Sequence, residues 1–177
     1  RAIRDVYKRQ VEGFMAEIWD AYNKEFNKLK NITLVRGEPI PDGMYHLVGE
    51  VIVKHIDGTY LIMQRDFEKK FGGMWELTAG GSALQYETPL ECAVRELKEE
   101  TGIEASKIME IGRFVQDVYH SLYVEYLCVT DCKKNAIALQ KGETVNYKWV
   151  DKKSLLEMSQ DELVSSRAIK LIKTVDI

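Results

Sequence analysis

Two apolar runs, Leu47 to His55, which is rich in β-branched residues, and Tyr60 to Arg65, each have the length of a strand. Asp57-Gly58 lies between them, and both residues tolerate positive φ, so the pattern predicts a hairpin. Ile108 to Val118, Ser121 to Thr130 and Thr144 to Val150 read as further strands, and Trp75 to Ala79 as a short one leading into Gly80-Gly81. Near the start, Glu17 to Tyr22 alternates like a strand, with a turn over Asn23 to Asn27; a helix from Met15 to Leu29 is the competing reading. Gly37 to Gly43, with Pro39 and Pro41, is a loop, and Phe71-Gly72-Gly73 a turn. A helical period appears over 88–101. Thr88 and Glu91 form a capping box, Pro89 takes the first helical position, and Gly102 supplies the stop. Leu90, Ala93, Val94 and Leu97 make the apolar stripe expected to face a core. Asp151 caps a short helix through Met158, and a last helix is expected from about Gln160 to Thr174, with Leu163, Ile169, Leu171 and Ile172 on its apolar side. Strands surrounding one central helix, with another closing the chain, place it in the α/β class.

The chemistry concentrates on the central helix. Glu96, Glu99 and Glu100 fall at i, i+3 and i+4 and share one flank. Carboxylates gathered this way repel one another unless a cation sits among them. A hard divalent ion such as Mg²⁺, with Mn²⁺ as a substitute, suits oxygen donors.

The whole segment resembles the Nudix box, the signature of a large family of diphosphate-cleaving hydrolases. That signature is a glycine, five residues, a glutamate, seven residues, then R-E-U-x-E-E-x-G-U, with U a bulky aliphatic. Gly81, Glu87, Arg95, Glu96, Leu97, Glu99, Glu100, Gly102 and Ile103 fill every fixed position. The resemblance implies a Nudix α/β/α sandwich with a mixed sheet, and hydrolysis of a nucleoside diphosphate linked to another group X by a metal-activated water. It implies metal ligation by Glu96, Glu99, Glu100 and the Gly81 carbonyl, and support of the site by Glu87 and Arg95. The general base is Glu99 or, from the loop before the last strand, Glu143. Arg65, with Lys69 and Lys70 nearby, and Trp75 and Tyr119 are candidates for holding the substrate, by charge and by stacking respectively. His46 and His120 stand alone, without ligand spacing.

Two other readings attach to the same fold. The front section, the Asp57-Gly58 hairpin, Gln64-Arg65, Phe71 to Trp75 and Trp149-Val150-Asp151 look like the Nudix branch related to isopentenyl-diphosphate isomerase. Those isomerases carry a cysteine after a W-T-N segment, and Trp75 to Gly81 contains none. The other alternative is a sensor that binds nucleotides without turnover, against which the complete set of glutamates argues.

Composition bounds the rest. The 177 residues are 45% hydrophobic, which suits one domain with a real core, expected over 15–177. The first ten residues resemble a translated linker. Residues 1–14 are therefore set apart as foreign to the fold or without fixed structure, with Met15 near the natural start. A net charge of -3 argues against a nucleic-acid duplex as partner. No run approaches a membrane span, no leader pattern stands at the start, and Cys92, Cys128 and Cys132 are odd in number without a C-x-x-C. The expectation is a cytoplasmic protein with reduced thiols and a small diphosphate substrate. The resemblance adds a homodimer.

Overall fold

A strand buried on both faces organises the molecule. In β3 (His46–His55), Val51 and Val53 turn to one side and Ile52 to the other, all at most 2% exposed. The computed structural model describes residues 16–174, so the expectations for residues 1–14 and for Met15 fall outside the described residues. β8 (Ser121–Thr130) runs parallel to β3 from His46↔Ser121 to His55↔Thr130. β7 (Lys107–Gln116) pairs antiparallel with β8. The other edge of β3 meets two partners in succession: β6 (Thr78–Ser82) over Val48 to Ile52, and β4 (Tyr60–Arg65) at Lys54↔Tyr60. β4 then takes β9 (Thr144–Val150) and β5 (Trp75–Glu76) as its own neighbours. Because β3 and β4 pair at the hairpin end and then find different partners, the mixed sheet opens into a cleft between β6 and β9.

Helices cover both faces. α1 (Pro89–Thr101) packs Cys92, Ala93 and Leu97 onto Val51, Val53, Leu122 and Val124. On the opposite face α2 (Lys152–Glu157) and α3 (Arg167–Thr174) set Leu155, Ala168, Ile169, Leu171 and Ile172 against Ile52, Tyr60, Ile62 and Leu127. The result is the three-layer α/β/α arrangement. No helix among the described residues is long and apolar enough to cross a membrane.

Local chemistry accounts for α1 closely. Thr88 Oγ1 accepts the Glu91 N–H at 3.2 Å while Glu91 Oε2 accepts the Thr88 N–H at 2.8 Å. Gly102 closes the helix at φ 77°, its N–H donating to the Lys98 carbonyl. The buried face, however, differs from the predicted stripe. Cys92, Ala93, Leu97 and Thr101 are buried, whereas Leu90 is 44% exposed and Val94 only partly covered. The reason lies in β3. At Gly49 the helix backbone comes so near that an added Cβ would sit 2.9 Å from the Pro89 carbonyl and 3.0 Å from the Ala93 nitrogen. That approach selects the small residues Cys92 and Ala93 for the contact and rotates Leu90 outward. Gly49→Ala will therefore push α1 off the sheet, lowering stability by about 1–3 kcal/mol in a chemical-denaturation measurement.

Three further differences have similar causes. The single strand expected over Trp75 to Ala79 divides at Leu77, with β5 on β4 and β6 on β3. β7 ends at Gln116, and a 3₁₀ turn covers Asp117–Tyr119. The last helix begins at Arg167 rather than Gln160. Upstream of it, Glu162 accepts the Trp75 N–H and Val164 donates to the Trp75 carbonyl, so these groups bond β5 instead of a helical turn. At the front, the strand reading holds: β1 (Ile18–Tyr22) and β2 (Lys28–Val35) form an antiparallel hairpin around Trp19, Ala21 and Leu34. It docks through the Tyr22↔Tyr45 bridge, the Gln85 N–H to the Ile18 carbonyl, and Asp20 accepting the Tyr86 N–H at 2.7 Å.

Candidate active site

The carboxylate flank of α1 lies beside β6, and the Gly80-Gly81 pair makes room for it. An added Cβ at Gly81 would stand 2.6 Å from Glu96 Oε1, so glycine at this position lets the carboxylate lie against the strand. The buried Cys92 thiol donates to the Gly81 carbonyl at 3.2 Å, fixing its direction. Burial pushes that thiol up to about 12. It is a positioning group, not a proton source.

Arg95 ties the box together. Its Nε and Nη2 bind Glu87 Oε1 and Oε2 at 2.7 and 2.9 Å, a bidentate pair, and Nη2 also reaches the Ser82 carbonyl. Nη1 binds Glu96 at 2.5 Å and contacts Glu99 at 3.5 Å. Glu87 in turn accepts the Leu84 N–H, which pins the loop leading into the helix.

Gly81, Glu96, Glu99 and Glu100 line one open cavity of about 760 Å³. Two loops supply Lys69 and Glu143, which are ion-paired with each other, and the front hairpin region supplies Glu17 and Arg36. Glu100 is pushed well above the usual carboxylate range, by burial first and then by the neighbouring Glu96 and Glu76 carboxylates; the Gly80 N–H opposes this. Burial also raises Glu96, against the pull of Arg95. Such groups demand positive charge or a proton. The donor set, three carboxylates and a carbonyl, consists only of hard oxygens and fits a cation of the Mg²⁺ type. Among the described residues no three metal-ligating side chains already converge, because Arg95 stands between Glu96 and Glu99. Holding an ion there requires those carboxylates to turn from the guanidinium.

The cavity continues through a smaller acidic space, of about 170 Å³, where Glu100 and Glu143 meet Glu50, Glu76 and Arg65. Arg65 bonds Glu76 at 2.5 Å and the Lys70 carbonyl at 3.0 Å. Beyond lies a third space of about 400 Å³ that Arg65, Glu50 and Glu76 share with Lys70, Phe71, Tyr119, Tyr123 and Arg167. Lys70 Nζ stands 5.0 and 5.7 Å from the Phe71 and Tyr119 ring centres, so two exposed aromatic faces flank this third space. Glu143 thus lines the same cavity as the box, Arg65 the smaller space that Glu100 shares, and Tyr119 only the third space beyond. Trp75 packs toward the second core under Lys148 Nζ, 4.3 Å from its ring centre, and lines none of these spaces.

Sequence reasoning overlooked Glu17, Arg36, Glu50, Glu76 and Arg167. For Glu50 a signal exists, the one carboxylate inside the apolar run of β3. Glu125, the residue that Arg167 ties to Glu50, carries the same signal in β8. For Arg36, on an exposed turn, none does. His46 is stacked on Trp19 with ring centres 4.4 Å apart and bonded to Ser121 and Ser82, a packing role. Burial pushes it down to about 4.

A NUDIX domain model matches residues 44–172 of the chain. An uncharacterised Nudix hydrolase of Listeria monocytogenes is 32% identical over 140 residues, spanning 78% of this chain and 82% of its own. Among solved structures, Deinococcus radiodurans DR0079 is similar with a TM-score of 0.71 at 18% identity, over 89% of this chain and 98% of that one. The Nudix domain of Shewanella oneidensis NrtR, solved in complex with ADP ribose, gives 0.58 at 18% identity, over 73% and 85%. At such identities the two structures speak for the fold alone.

Proposed function

The chain belongs to the Nudix family, and from that premise we propose that it is a pyrophosphohydrolase that cleaves, with Mg²⁺ or Mn²⁺, a nucleoside diphosphate linked to a group X. The observation that carries this reading is the single cavity that unites Gly81, Glu96, Glu99 and Glu100, with Arg95 anchored by Glu87 behind them. When bound, a hard divalent cation neutralises diphosphate oxygens and acidifies water. Glu96, Glu99, Glu100 and the Gly81 carbonyl are the groups that would hold it.

The remaining work falls to the chain's own residues. Glu99 is the most open of the box carboxylates flanking Arg95, with its side chain 35% exposed against 14% for Glu96. It takes the proton of the attacking water. Glu143, held by Lys69, is the second candidate for that role. Arg95, locked by Glu87, sets the direction of Glu96 and Glu99. Arg65 lies at the join between the smaller acidic space and the third space, where Tyr119 and Phe71 offer planar faces to a nucleobase.

Titration calorimetry with Mg²⁺, alone and with a non-hydrolysable nucleotide, tests the reading. Uptake that disappears in Glu96→Gln and Glu100→Gln is expected. Absence of uptake by the parent chain under both conditions would overturn the proposal.

A further inference from the structure

The cations around the main cavity are not equally committed. Arg95 directs its donors to Glu87, Glu96, Glu99 and the Ser82 carbonyl. Lys69 is paired with Glu143 across the loops. Arg36 differs. Among the described residues it meets one carboxylate, Glu17, through Nη1 at 3.0 Å, and its side chain stays 67% exposed. Glu17 is itself fixed, with its other oxygen accepting the Trp19 indole N–H at 2.6 Å, and Trp19 is stacked on His46, which bonds Ser82 beside Gly81. A planar guanidinium held by one nitrogen presents its remaining N–H groups as a fork, the geometry that fits a phosphoryl group. Arg36 and Glu17 also lie outside the span that matches the NUDIX domain model, residues 44–172. They form a wall of the cavity that comes from the front hairpin region.

Building on the hydrolase reading above, we propose that Arg36 is a specificity-determining residue that binds a phosphoryl group beyond the scissile diphosphate, so that X carries charge. The enzyme then favours nucleotides with three or more phosphates in line over those whose X is a neutral sugar.

The test compares the parent with Arg36→Gln and Arg36→Lys on ATP and on ADP-ribose, each with Mg²⁺. Arg36→Gln is expected to raise KM for ATP about tenfold or more, with kcat within about twofold and the ADP-ribose KM nearly unchanged. Arg36→Lys should recover part of the loss. Equal KM changes for both nucleotides, or a fall confined to kcat, would overturn the assignment. A second arm needs no turnover. Calorimetry of inorganic triphosphate and pyrophosphate on the metal-free chain should show triphosphate bound more tightly by the parent, and that preference lost in Arg36→Gln. If the parent cleaves neither nucleotide, the hydrolase reading fails for these substrates, and the calorimetric preference still decides the role of Arg36. A parent without that preference, or a Gln variant that keeps it, rejects the role.

Discussion

Glu99→Gln will leave the protein folded and lower kcat on its nucleotide substrate by roughly two to four orders of magnitude. The amide keeps the size of the side chain but cannot take a proton, and it is a poorer donor to a hard cation. Glu99 sits one helical turn after Arg95 on the flank that faces the main cavity, and it packs no core. Thermal melting should therefore move little while turnover collapses. The matching Glu143→Gln variant separates the two candidates for the base. If Glu143→Gln shows the large loss and Glu99→Gln the small one, proton abstraction moves to the loop carboxylate. Should both retain near-parental turnover with Mg²⁺ present, the catalytic assignment is lost.

The second large effect is on stability. Glu50 on β3 and Glu125 on β8 are direct cross-strand partners, a like-charge pair inside a sheet. Arg167, the first residue of α3, bonds Glu50 at 2.5 Å and Glu125 at 2.6 Å and stacks over Tyr123 at 3.7 Å. Glu125 is fully buried, and its Oε2 has no hydrogen-bond partner among the described residues. Removing the cation leaves two buried or half-buried acidic groups without a counter-charge in low dielectric. Arg167→Met is expected to cost about 3–5 kcal/mol, on the order of 10 °C in Tm for a chain of this size. A loss below about 1 kcal/mol in chemical denaturation would show that the pair is solvated and that α3 is anchored by its apolar face alone.

The same cluster sets a pH dependence. Burial raises the Glu125 carboxyl, the Glu50 carboxylate adds to the rise, and Arg167 opposes it. The folded state therefore holds this proton more tightly than the unfolded chain does. Its contribution to stability is complete below the unfolded value and declines as pH climbs through the folded one. Melting temperatures scanned from about pH 5 to pH 8 should fall in the parent, and Glu125→Gln should flatten that slope. A parent profile without such a slope would mean that Glu125 stays ionised throughout.

Much of this architecture was legible because local signals agreed with the tertiary demand. The capping box, the Asp57-Gly58 turn and the apolar runs each named an element that the packing then kept. The box carboxylates were legible too, since their spacing on a helix needs no partner from afar. What failed depended on contacts remote in sequence. The rotation of α1 is set by Gly49, forty positions before the helix starts, and the late start of α3 by backbone bonds to Trp75. Arg36 reaches the site only through hairpin docking, and no pattern in its own neighbourhood marks it. Trp75 carried the reverse lesson. A tryptophan in the run leading into Gly80-Gly81 suggests stacking on substrate, yet the split between β5 and β6 directs it to the core under α2 and α3.

The parallel pairing of β3 with β8 also governs how the chain reaches its native state. His46 and Ser121 are 75 positions apart, and the whole central ladder shares that separation. Closing so long a loop before any ladder bond forms makes assembly slow. Until β8 arrives, β3 offers a ten-residue, largely apolar edge to any other chain nearby. Refolding yield should therefore depend on protein concentration, and expression at reduced temperature should favour the native fold over aggregates.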